Sequence, residues 1–146
     1  MMDEEVREFL LKHLMSVQAN DTQAYRETTA EELTLYEWWI TPNRIEGLPF
    51  HEFMMGSNAE RGTVFGSDAA QKAPSRLDLA NLLIQRYGDT AIASYTLLVS
   101  TSLPQGVEVR AHNESRVMVK QAGKWKVVHV HKSPAWAAPH VQPGWE

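Results

Sequence analysis

Four side chains of this 146-residue sequence stand at a spacing that suggests chemistry: Arg116, His129, His131 and Lys132. All lie in ESRVMVKQAGKWKVVHVHKSP, residues 114–134, where apolar and polar residues alternate on either side of Ala122-Gly123-Lys124. Alternation of that length predicts two antiparallel strands joined by a tight turn. A three-residue loop with Gly123 in the left-handed position pairs Gln121 with Trp125. Arg116 then shares a face with Met118, Val128, Val130 and Lys132, apolar along its middle and cationic at one end. A guanidinium among methyl groups is costly to desolvate unless an anion, a carboxylate or water meets it. The face therefore reads as the wall of a pocket that wants negative charge. The plainer alternative is a structural arginine, paired inside the protein with Glu37, Glu114 or another strand carboxylate.

The opposite parity carries Val117, Val119, Trp125, Val127, His129 and His131. Two histidines at i and i+2 could approach one metal ion, but nothing nearby offers a third ligand, so no metal is expected. An apolar strip of this kind is seldom left bare on a monomer. The expected use is an intersubunit surface, giving a homodimer or a larger ring.

These strands need a scaffold. Residues 3–19 place Val6, Phe9, Leu10, Leu14 and Val17 at helical spacing, with Asp3, Glu4 and Glu5 at the positive end. Asn20-Asp21-Thr22 reads as a break and a new cap for a short helix through Tyr25. Glu32 to Ile40 is rich in aromatic and β-branched residues and predicts a half-buried strand ended by Thr41-Pro42-Asn43. Pro49 opens a helix through Met55, with Phe50, Phe53 and Met54 as its expected buried stripe. Residues 56–75 are rich in Gly, Ser, Ala and Asn and read as a mobile loop or a cover over the pocket mouth. Gly88-Asp89 joins two strand-like runs, residues 77–87 and 91–102, and a turn at Leu103-Pro104-Gln105-Gly106 leads into the long strand that begins the final hairpin. Helices followed by a curved antiparallel meander of about four to six strands give an α+β cone over residues 1–134, with an irregular tail at 135–146.

Composition sets the outer bounds. A net charge of −4 without a Lys/Arg run argues against nucleic acid and anionic membranes. The absence of cysteine excludes disulfides and thiolate chemistry. The acidic start MMDEEVREFL has no basic-then-apolar leader, and no apolar run is long enough to cross a bilayer, so a cytoplasmic location is expected. A Gly-rich nucleotide loop, H-R-D and D-F-G are missing, and no cofactor is expected.

Four stretches, in order, carry a resemblance: LTLYEWW (33–39), IEGLPFHEF (45–53), NLLIQRYGDTAIASY (81–95) and ESRVMVKQAGKWKVVHVHKS (114–133). They resemble the association (hub) domain of calcium/calmodulin-dependent protein kinase II, within the nuclear transport factor 2-like and SnoaL-like group of cone-shaped α+β folds. The resemblance points to a free-standing, bacterial-type relative. It implies a domain without phosphotransfer activity that assembles subunits and holds a pocket for small carboxylates. The family's pocket residues correspond to Arg116, His51, Tyr25 and Lys132, the last replacing an arginine and so losing the bidentate fork while keeping the charge. Residues 56–75 depart from the family's aromatic flap.

Enzymes of the same cone, such as SnoaL-like and ketosteroid isomerase-like proteins, supply the competing expectation of proton transfer. Asp78 or His51 would then be the base and Tyr25 the donor. An isomerase pocket should be mainly neutral with one buried acid, whereas a carboxylate-binding hub should be net positive.

Overall fold

In the computed structural model, residues 3–53, 75–139 and 141 are described. Two helices lead. The first, α1 (Glu4–Gln18), starts where the Asp3 carboxylate accepts from the Val6 amide at 3.0 Å. The second, α2 (Thr22–Thr28), starts in the same way, with Asp21 accepting from the Ala24 amide at 3.1 Å. Each cap satisfies an amide that the helix itself cannot. Between them Asn20 takes φ 55°, a left-handed value that asparagine tolerates.

Six strands follow: β1 (Thr29–Tyr36), β2 (Ile45–Glu46), β3 (Ser75–Tyr87), β4 (Thr90–Leu103), β5 (Gly106–Gln121) and β6 (Lys124–Pro134). They form one sheet in the order β2-β1-β6-β5-β4-β3. The expected meander describes β3 to β6, but β1 pairs with β6 in parallel, so the first long strand lies beside the last. Beyond β6, residues 135–139 form no regular element.

The core lies between the helices and the inner face of the sheet. Val6, Leu10 and Leu14 of α1 are buried, with Leu33, Leu35, Ala91, Ala93, Met118, Val127 and Val130 of the sheet. Bulges bend the sheet around them: one extra residue enters β3 between Ala80 and Leu83, where Asn81 has φ 56°. At the rim, the Glu5 carboxylate accepts from the Trp125 indole at 2.8 Å and from Lys120 at 3.1 Å, tying the start of α1 to the final hairpin.

Several expectations are corrected. The hairpin turn has two residues, not three: Ala122 (φ 51°) and Gly123 (φ 79°) are both left-handed, and Gln121 pairs with Lys124. A bulge between Val117 and Met118 leaves Val128 as the extra residue, after which Arg116 pairs with Val130 as expected. Because the bulge reverses parity, Trp125 and Val127 turn inward and are buried, while Val117, Val119, His129 and His131 stay on the outer face. The first strand ends at Tyr36 rather than Ile40, because residues 38–40 enter a turn in which the Glu37 carbonyl accepts from the Ile40 amide at 3.0 Å. Residues 48–53 are helical, but Phe50 and Phe53 are exposed at 53% and 69%, so they form no buried stripe. Met54 and nearly all of the expected loop over 56–75 lie outside the described residues.

Candidate functional site

A small cavity, open to solvent on one side, lies between α2, the end of β1 and the β5–β6 hairpin. Tyr25, Glu37, His51, Arg116 and Lys132 line it, with Val17, Leu35 and Val130 as its apolar wall. Its enclosed part has room for about one water molecule.

Local structure explains each position. Glu37 follows Leu33 and Leu35 at period two and so faces inward. Arg116 alternates with Glu114 and Met118, and Lys132 with Val130, on the same inner face. Gly47, at φ 93°, reverses the chain and accepts from the His51 amide at 3.1 Å, which turns His51 toward the cavity. Tyr25 sits one turn into α2 and is buried.

The polar side chains form two groups of the same composition. In the first, the His51 ring bridges the Tyr25 hydroxyl (2.9 Å from Nδ1) and the Glu37 Oε1 (2.8 Å from Nε2), and Lys132 donates to that oxygen at 3.4 Å. Lys132 also lies over the Trp39 ring, 5.1 Å from its centre. In the second, the Tyr95 hydroxyl donates to Glu114 at 2.6 Å, Arg116 donates to Glu114 and, at 2.7 Å, to the Tyr95 oxygen, and His112 meets the other Glu114 oxygen. The His112 ring lies against Trp38 and Trp39. Each group therefore holds a carboxylate, a cation, a histidine and a tyrosine.

Burial opposes ionisation of Glu37, but the Lys132 charge and the His51 hydrogen bond outweigh it and hold the carboxyl at about 2. Glu114 is likewise penalised by burial and pulled well below the usual carboxylate range by Arg116 and His112. Burial works against the Arg116 charge too, and Glu114 more than compensates. Desolvation raises both tyrosines, so Tyr25 and Tyr95 remain phenols. With Glu37 ionised, a neutral His51 carries its proton on Nε2, and its Nδ1 accepts from Tyr25.

The expected net-positive wall is corrected here. Arg116 and Lys132 each have a carboxylate partner, Glu114 and Glu37, so the formal charges around the cavity balance. Among the described residues, two buried polar atoms of the cavity walls still lack a partner: Arg116 Nε, a donor, and Glu37 Oε2, an acceptor.

Asp78 is elsewhere. It lies on β3, is 40% exposed and pairs with Arg76 at 3.0 Å. His129 and His131 lie on the outer face beside Tyr36, and His129 meets the Thr34 hydroxyl at 2.8 Å. No group of three His, Asp or Glu residues among those described is placed to hold a metal. Tyr95 and His112 escaped the reading of the sequence. Counting back along β4 and β5 from the Pro104-Gln105 turn puts Tyr95 opposite Glu114, and His112 precedes that glutamate by two residues, so a signal existed.

The family model of the calcium/calmodulin dependent protein kinase II association domain matches residues 2–136. The chain belongs to this family. As an association domain it is 28% identical over 122 residues to the Caenorhabditis elegans calcium/calmodulin-dependent protein kinase type II, covering 82% of this chain and 15% of that kinase. It therefore spans a small part of that relative's length. The crystal structure of the S. rosetta CaMKII hub is similar at 28% identity with a TM-score of 0.71, covering 90% of this chain and 95% of the other. A nuclear transport factor 2-like superfamily protein from Salmonella enterica, 21% identical with a TM-score of 0.66, covers 97% of this chain and 96% of its own and shows the shared cone-shaped fold. Among the described residues no helix of the association domain is long and apolar enough to cross a membrane.

Proposed function

We propose that this chain is a non-catalytic homo-oligomerisation domain whose cavity binds a small carboxylate-type molecule. Membership of the association-domain family supports the first half. The second half is carried by one observation: the Arg116 guanidinium is 3% exposed, lines the cavity, and keeps its Nε donor unpaired among the described residues even though Glu114 holds its Nη1. A guest carboxylate oxygen on that donor would satisfy a buried group that otherwise pays its desolvation cost uncompensated. Lys132, on the same wall, adds a second positive charge, while Val17, Leu35 and Val130 exclude water. Titration calorimetry with propionate tests this reading. Saturable heat, lost when Lys132→Met and Arg116→Lys are both present, is the expected result, and no heat at millimolar propionate would remove the binding role.

The outer sheet face supports self-association. Val117 and Val119 of β5 lie beside Ile92 of β4 and near Tyr36, His129 and His131, forming a strip that is half-buried except at the exposed His131 and has no carboxylate among these residues.

A specific arrangement favours a second reading, a small proton-transfer enzyme of the isomerase kind. Tyr25, His51 and Glu37 are linked in a line, the order in which a carboxylate orients a histidine that takes a proton from a hydroxyl. His51 is then the base, since Asp78 is remote and paired. Exchange of a carbon-bound proton of a small keto acid into deuterated water, abolished by His51→Gln, would establish that reading in place of the first.

A further inference from the structure

We infer that residues 107–111 of β5 form a second self-association contact, pairing edge to edge and antiparallel with the same residues of a second copy, centred on Val109. This contact is additional to the outer-face one proposed above and uses a different part of the sheet.

Strand lengths leave the edge open. β6 runs along β5 only from Gln121 to His112, so among the described residues the rest of the strand has a neighbour on one side alone, β4. Residues 106–111 are all exposed, Val107 at 70% and Val109 at 57%. Such an edge presents backbone donors and acceptors to any strand that fits. The other edges of the sheet are less suited: β2 has two residues, and β3 is interrupted by the bulge between Ala80 and Leu83. No bulge interrupts β5 against β4.

The residues on this edge select the occupant. Read outward from Val109, the stretch Val-Glu-Val-Arg-Ala complements itself. An antiparallel pair centred there sets Val109 against Val109 of the partner subunit, Val107 against Ala111 of the partner subunit, and Glu108 against Arg110 of the partner subunit, with the last two matches made twice. Opposite charges directly across a ladder attract and like charges repel, and a two-fold contact requires self-complementarity of this kind. Within one chain Arg110 Nε donates to Glu108 Oε1 at 2.6 Å. That pair is exposed and loses little by exchanging partners. Because the register with β4 is unbroken, Val107 and Val109 lie on the same face as Val117 and Val119, and the apolar strip continues across the pair. Five residues a side hold weakly alone. The contact therefore joins copies already gathered by the outer face, and forms between single chains only well above micromolar concentration.

The chain has no cysteine, so one introduced thiol reports the register. With a mild oxidant and the full chain at submillimolar concentration, Val109→Cys is expected to form a covalent dimer about tenfold faster than Val107→Cys, since two copies of residue 109 face each other within disulfide reach and two copies of residue 107 stand about 14 Å apart along the strands. Adding Glu108→Arg or Arg110→Glu to Val109→Cys is expected to slow the cross-link about tenfold, and an equimolar mixture of the two to restore it. Equal rates for the two cysteine variants, or a mixture that stays slow, would overturn the contact. Val117→Lys with Val119→Lys separates it from the outer face: the cross-link is expected to persist, and its loss would overturn the edge pair by placing Val109 in the outer-face contact. No cross-link from Val109→Cys would overturn self-pairing and leave this edge to a different chain.

Discussion

Arg116 shows how one side chain can be structural and still face a cavity. Its Nη1 is locked to Glu114 and Tyr95, while its Nε has no partner among the described residues. The sequence made both roles legible, since Glu114 stands two residues away on the same strand face, but it offered no way to see that one guanidinium divides between them. The pairing also alters what mutation does. Arg116→Ala would empty the pocket and spare the fold if the guanidinium served the pocket alone. With Glu114 left buried and uncompensated, we expect it to lower unfolding free energy by about 3–5 kcal/mol. Arg116→Met combined with Glu114→Gln should recover much of that loss, and a double-mutant cycle in urea measures it. Equal losses in the single and double variants would mean that the pair is not coupled. His13 supports a prediction of pH dependence. It is buried at 1% exposure with Nδ1 bonded to the Thr28 hydroxyl, and burial, then the Arg116 and Lys132 charges, hold it well below its ordinary 6.5. Below pH 6.5 the unfolded chain takes up a proton that the folded chain refuses, so stability falls by about 1.4 kcal/mol per pH unit. Glu37, at about 2 against an ordinary 4.5, contributes stability that is present above 4.5 and lost as pH falls toward 2. Urea midpoints between pH 7.5 and 5 should decline, and His13→Gln should flatten that stretch. An unchanged slope would assign the decline to other groups.

Among the elements, the β5–β6 hairpin was the most readable and the most instructive where the reading failed. Period-two alternation identified both strands, and the faces of Arg116, Met118, Val130 and Lys132 were assigned as found. The turn length was one residue too long and the bulge went unseen. Bulges arise from how a strand fits its neighbours rather than from its own pattern, so a single sequence hides them. The consequence fell on Trp125 and Val127, which moved from the outer strip to the core. The two-residue turn suggests a stabilising change. Ala122 holds φ 51°, where a Cβ is strained and asparagine is better tolerated, and Gly123 already suits the second position. Ala122→Asn is expected to raise stability by about 0.5–1 kcal/mol, read from the thermal midpoint, while Gly123→Val should lower it. The opposite order would put the strain elsewhere. The helix at residues 48–53 was legible from Gly47 and Pro49, but its exposed phenylalanines were not, because a short apolar stripe looks the same whether or not something covers it.

At the scale of the whole molecule, the α+β cone followed from helices first and strands afterwards, and four ordered motifs narrowed it to one family. Assembly belongs here. Light scattering at micromolar concentration should return at least twice the 16.5 kDa chain mass, and Val117→Lys with Val119→Lys should reduce it to a single chain. A wild-type monomer would count against the outer face as an interface. One further feature governs how the protein is made. Because β1 pairs with only two residues of β2 on one flank and with β6 on the other, the apolar side of the leading helices has no complete floor until residue 134 has been synthesised. Val6, Leu10 and Leu14 of a nascent chain therefore lack that floor until the last strand of the domain has left the ribosome. Closure then comes as one late, long-range event, slow in the way of non-local β pairing, and a chain that stalls before the final hairpin is left to chaperones and proteases.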